Sequence, residues 1–254
     1  MGLDRRIVPI ALCSLGLIAA LPASPAAAIA GASARSSEGA ALVAAVQASL
    51  DDVRSRQARL PPPRDDAERI IRLGELDQAP RMVVTRFDWS RIPADDRDAA
   101  LRAQGEIMEA SDHAILAQLL RMLPPEGWFL KSRYGPQAAK AAFLIVQHAD
   151  TETKRGFLPR LQALAKTGEI EGEYVASMSD KVAISDGRPQ RYGTQFRCDS
   201  GKWRPYPLED ESKVEALRHE VGIDMSFAQL KTFLQGQPPC PQTTSPPPPG
   251  MKLD

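Results

Sequence analysis

The stretch Ala138 to Asp150, AAKAAFLIVQHAD, constrains the fold more than any other part of this chain. Only Lys140 interrupts its apolar run, which ends abruptly in Gln147, His148, Ala149 and Asp150. Gly135 and Pro136 precede it, and proline in a first turn is a good helix start. A helix apolar on every face is buried in the middle of a domain. The run is therefore expected to be the axis of the fold, with its alanines allowing close approach by neighbouring backbones.

Other segments read as helices around this axis. Ser36 and Ser37 offer caps before Leu42, Val43, Val46 and Leu50, and the pattern stops at Pro61-Pro62-Pro63. Asp65 or Asp66 caps a second helix through Ile70 and Leu73, which Pro80 is expected to close; Met82 to Trp89 reads equally as strand or helix. Pro93 with Asp95 and Asp96 starts a third, either one long helix or two broken at Ser111-Asp112, with Trp128 and Phe129 as core anchors beyond it. Asp150 or Thr151 caps the helix after the axis, which Pro159 kinks or restarts, and Tyr174 to Ile184 forms another. Gln190 to Phe196, a turn at Asp199 to Lys202, and Trp203 to Tyr206 read as a β-hairpin. Short helices around Leu217 to Val221 and Phe227 to Leu234 follow. The fold class is mainly α, a single helical domain around a buried central helix with one small β-hairpin.

The chain start has the layout of a secretory signal peptide. Arg5 and Arg6 precede an apolar run from Ile7 to Leu21, and small residues with Ala26-Ala27-Ala28 or Ala28-Ile29-Ala30 as cleavage triplets follow. The run is shorter than the roughly 20 apolar residues that span a bilayer. The expected divisions are residues 1–30 as signal peptide, 31–63 as helix and proline linker, 64–236 as the helical domain, and 237–254 as a disordered proline-rich tail. The expected location is periplasmic or extracellular. Removing the leader takes Cys13 with it and leaves Cys198 and Cys240 in a compartment that permits disulfides. They form either a bridge or two free thiols, and spacing alone does not choose.

Charge excludes one class of partner. Lysine and arginine number 32 against 32 acidic residues, with no basic cluster fitted to nucleic acid. No membrane span is expected once the leader is gone.

An ordered set of motifs then carries a resemblance. Leu76-Asp77-Gln78 with Arg81, Gly127-Trp128, Ala142 to Asp150, Ser179 to Val182, Gly187 to Phe196, Pro207 to Asp210 and Gly222 follow one another in the chain. Over Leu76 to Leu234 it resembles an uncharacterised bacterial family classed only as a domain of unknown function. Phe129 stands where that family more often has proline, and Lys181 where it more often has arginine, exchanging a bidentate guanidinium for a point charge. The resemblance implies a mainly helical fold and no particular activity.

Two polar blocks hold the candidate chemistry. In the first, His148 and Asp150 are the catalytic candidates, with Asp150, Asp180 or Gln195 available to orient the imidazole for acid–base work. Gln147 stands beside them. In the second, Arg191, Tyr192, Thr194 and Gln195 join Asp180 as binding candidates, with Gly193 permitting close backbone approach. The competing interpretation is a histidine satisfied by backbone groups and a bulged strand bonded across to the helix end. A metal held by His148 and Asp150 with Asp180, Glu209 or Asp210 has little support, because no paired-histidine or Cys-x-x-Cys spacing exists. No metal or other cofactor is expected. Three functions remain: binding of a small polar ligand or peptide near His148 and Gln195, hydrolysis by His148 with a carboxylate, and a structural or interaction role with a protein partner.

Overall fold

The computed structural model describes residues 36–237 and Cys240. The expected signal peptide and most of the proline-rich tail lie outside those residues. Eight α-helices and one antiparallel hairpin make up the described chain: α1 Ser37–Ala58, α2 Asp66–Arg86, α3 Arg97–Arg121, α4 Lys131–His148, α5 Thr151–Ala165, α6 Gly172–Ser185, β1 Phe196–Asp199, β2 Lys202–Pro205, α7 Val214–Glu220 and α8 Phe227–Gln235. The fold is mainly α. Among the described residues, no helix is long and apolar enough to cross a membrane.

α4 is the buried axis. Ala138, Ala142 and Val146 are fully covered, and Phe143 and Ile145 nearly so. They pack on Ile70 and Leu73 of α2, Ile115 and Leu119 of α3, Leu161 of α5 and Met178 of α6. Burying one such large side chain stabilises by about 1.5–3 kcal/mol. α2 comes closest, because Gly74 leaves room for the methyl of Ala141; a Cβ at position 74 would sit 2.6 Å from it. The helical backbone of α4 breaks once, at Gly135, whose φ of 78° joins a short leading turn to the main body and puts Pro136 at the start of the latter. Trp128 and Phe129 close the core, with Trp128 edge-on to Phe157 of α5.

Several local expectations are corrected, and several open alternatives are decided. Pro80 does not close α2, which runs six residues further to Arg86. Proline removes the amide that would bond the Leu76 carbonyl, and in the same turn the Arg81 guanidinium donates to the Asp77 carbonyl at 2.6 Å. Met82 to Arg86 is thus helix, followed by a single 3-10 turn at Trp89–Arg91. α3 is one helix through Ser111, and Asp112, instead of capping a new one, meets Arg81. α5 passes through Pro159 unbroken. The hairpin begins at Phe196, not Gln190; the residues before it form a loop gathered around Asp180. Cys198 of β1 is disulfide-bonded to Cys240, with Cα atoms 5.7 Å apart. Next to it, Val214, Phe227, Leu230 and Leu234 build a small core under Trp203 and Leu208.

Candidate functional site

α6 carries the centre of the site, and its two neighbours Asp180 and Lys181 point about 100° apart around the helix. Asp180 lies on the buried stripe of Ala176 and Ile184 and is completely covered. Its carboxylate accepts from the backbone amides of Arg191 at 2.8 Å, Tyr192 at 3.1 Å and Thr194 at 3.0 Å, and from the Thr194 hydroxyl at 2.9 Å. Arg218, also buried, donates from the far side to the carbonyls of Tyr192 and Met225. Fully buried Gln190 binds the Gln195 backbone in both directions and the Tyr206 carbonyl. Gly193 holds a φ of +66° against the Phe227 ring. The second polar block is therefore a closed knot, and Asp180, Thr194 and Tyr192 serve its geometry. The Arg191 side chain points to solvent and pairs loosely with Glu209 at 3.7 Å.

Lys181 turns to a different side, on the α6 stripe of Ser177 and Ser185. Here the two polar blocks meet. The side-chain amides of Gln147 and Gln195 both donate to the Ser177 hydroxyl, each at 3.2 Å. Around them opens a cavity of about 450 Å³ that also takes in Arg81, His148, Lys154 and Lys181. Ile184, Ser185, Phe196 and Tyr206 complete its wall, and no carboxylate lines it.

The charges in this wall differ in how they are held. Arg81 is neutralised by Asp112 through two parallel bonds of 3.0 and 2.6 Å. His148 turns Nδ1 to Asp77 at 2.9 Å, and Asp77 is 1% exposed. Nδ1 is thereby the donor nitrogen, and among the described residues Nε2 has no bond. Lys154 donates to the Ala149 carbonyl at 2.7 Å, and burial lowers its pKa against the pull of Asp150. Lys181 makes no hydrogen bond or ion pair among the described residues. Burial first, and then Lys154 and Arg81, hold its pKa down from the usual 10.5 to about 8. The Gln147 Oε1 is buried without a partner.

Asp150 does not orient His148. It caps α5, accepting from the Thr153 amide at 2.8 Å and hydroxyl at 2.9 Å, and these bonds lower its pKa. Helical side chains lean toward the helix N-terminus, so the His148 ring is carried back along α4 and away from the residue beyond its end. Asp77 takes that role. Its signal was present in the sequence: Ile70, Leu73 and Asp77 share one helical stripe, so a carboxylate occupies a buried position, with Arg81 one turn on. Lys154 gave no such sign. Among the described residues, no three histidine, cysteine or acidic side chains are grouped to hold a metal ion. The larger cavity, about 490 Å³ between the hairpin and α8, is lined by Trp203, Lys231 and Leu234 and gathers no comparable set of unpaired groups.

Residues 64–233, which contain this whole site, match the model of a family of unknown function, DUF6624. The chain belongs to that family. The DUF6624 region begins just after the triple proline, so α1 and Cys240 lie outside it. No curated protein and no solved structure matches the chain.

Proposed function

We propose that this is an exported protein that binds a small anionic ligand in the cavity at the C-terminal end of α4. The observation that carries the reading is Lys181. A half-buried ammonium group beside two other cations, with no carboxylate in the cavity wall, raises the energy of the empty protein. An anion lying between Lys181 and Lys154 removes that cost. Thermal unfolding with phosphate, sulfate or pyrophosphate tests it. Stabilisation of several degrees at millimolar anion is expected, and Lys181→Met should abolish it; no response to any of the three anions overturns the reading.

A second reading is favoured by the Asp77–His148 pair. A buried carboxylate that fixes Nδ1 of an imidazole leaves Nε2 free to take a proton from water, the arrangement of a general base. In this reading the chain is a hydrolase acting on the bound anion. Asp77→Asn then lowers turnover of a chromogenic ester panel by orders of magnitude while anion-induced stabilisation persists. Absence of turnover across carboxylic and phosphoric esters in the wild type removes the hydrolase and leaves the binding protein.

A further inference from the structure

We infer that the ligand is a phosphate monoester carrying a flat ring, seated with its phosphoryl group among the lysines and its ring on Phe196. This rests on the anion-binding reading and adds ligand class to it.

Size comes first. The cavity of about 450 Å³ lies in the range of small-molecule sites. A bare tetrahedral oxyanion displaces on the order of two waters, roughly 60 Å³, and leaves most of the space unfilled. Charge comes second. Arg81 is already saturated by Asp112, and His148 is engaged by Asp77, so two ammonium groups remain to face a ligand: Lys181 without a partner, and Lys154, which bonds the Ala149 carbonyl and feels Asp150. A phosphate monoester, whose second pKa is about 6, is a dianion at neutral pH and matches both. A carboxylate, a phosphodiester or a sulfate ester brings a single charge.

The third observation is how the wall is divided. The helices α2, α5 and α6 contribute the cations, whereas the hairpin side contributes two aromatic rings, Phe196 and Tyr206. Phe196 is 41% exposed and is the one large apolar side chain of the wall left open to water. Its ring is fixed by an edge contact to Trp203, centroids 5.7 Å apart at 89°. The hairpin that carries it is pinned by the Cys198–Cys240 disulfide. An uncovered ring at the rim of a cationic cavity offers stacking to a planar ligand body, and a nucleobase or a phenyl ring supplies one.

Calorimetric titration of the full chain with inorganic phosphate, ribose 5-phosphate, phenyl phosphate, a nucleoside 5′-monophosphate and phenyl sulfate tests this. The two ring-bearing phosphates are expected to bind at least tenfold tighter than phosphate and ribose 5-phosphate. A nucleotide stronger than phenyl phosphate identifies a nucleotide ligand, and equal affinities identify an aryl phosphate; both support the class. Phe196→Ala should erase the margin of the ring-bearing phosphates over inorganic phosphate, and Phe196→Tyr should keep it. Four equal affinities, or a margin that survives Phe196→Ala, overturn the ring. Phenyl sulfate as tight as phenyl phosphate overturns the dianion. If phosphate binds and the margin is missing, only this inference falls; if nothing binds, the anion reading falls with it.

Discussion

Asp180 and Lys181 are adjacent on one helix, both charged, both withdrawn from water, and opposite in circumstance. Asp180 receives four hydrogen bonds from a loop that wraps its carboxylate. Lys181 receives none and sits beside other cations. Buried polar groups are nearly always paired, so a saturated one reports on how the fold is held. An unpaired one stands out against that background and reports on something the protein has yet to meet. The knot around Asp180 and the cavity around Lys181 are accordingly separable by mutation, one through stability and the other through binding.

The largest effect belongs to the knot. Asp180→Ala strips the acceptor from three backbone amides and a hydroxyl and leaves buried Arg218 with Glu215 as its remaining countercharge. Each unsatisfied buried donor costs about 1–3 kcal/mol, and relaxation of the loop limits the sum to about 3–5 kcal/mol. Urea unfolding reads this as a lower midpoint with an unchanged slope. A loss below about 1 kcal/mol would mean that the loop is held by Gln190 and Arg218 alone, and the contrast with Lys181 would lose its structural half.

Gly193→Ala attacks the same knot from its backbone. The added Cβ meets the Phe227 ring atoms at 2.7 Å in a left-handed conformation that favours glycine. Strain of about 1–2 kcal/mol and overpacking of about 1–3 kcal/mol point to a loss of about 2–3 kcal/mol in the same unfolding measurement. A neutral outcome would show that Phe227 swings aside and that α8 is not part of the clamp.

The cavity answers differently. Lys181→Met keeps the aliphatic stem and deletes an unpaired half-buried charge, so stability should hold or rise. Affinity for inorganic phosphate should fall at least tenfold by calorimetry. Loss of stability without loss of affinity would reverse the assignment, making Lys181 a structural residue and dissolving the distinction from Asp180.

Much of this was legible from residue patterns, and the part that was not has a physical cause. The buried axis follows from Ala138 to Val146, because no exposed helix carries such a run. The meeting of the two polar blocks was posed by the sequence but not decided, since Gln147 and Gln195 touch only through Ser177, a residue of a third element. Pro80 was misleading because α2 tolerates the loss of one amide and runs on to Arg86. Tyr192 to Gln195 reads as strand by composition, yet three of its neighbouring amides converge on Asp180, and convergence on a carboxylate from another helix has no periodicity. Lys154 enters the cavity from α5 by tertiary packing alone. Asp77 was readable from its stripe, as a charge where the pattern calls for an apolar residue.

The smallest effect is also the most specific, because it follows a single proton. The folded pKa of Lys181, about 8, lies below its usual 10.5. Between those values the unfolded chain binds more protons than the folded one, so stability must rise with pH across the window. The penalty of the charged group is fully present below pH 8 and is gone by about pH 10.5. Lys154 shifts in the same direction, but it is present in both proteins, so wild type minus Lys181→Met isolates the Lys181 contribution. Anion binding runs the opposite way. A phosphate monoester such as phenyl phosphate stays dianionic above pH 7, so its affinity should hold up to about pH 8 and then fall by up to tenfold per pH unit as Lys181 loses its proton. Calorimetry in two buffers of different ionisation enthalpy, at pH 8, should also detect net proton uptake on binding in the wild type and less in Lys181→Met. An affinity flat from pH 7 to 9.5 would remove Lys181 from the ligand, while the stability slope, measured without anion, would still report its burial.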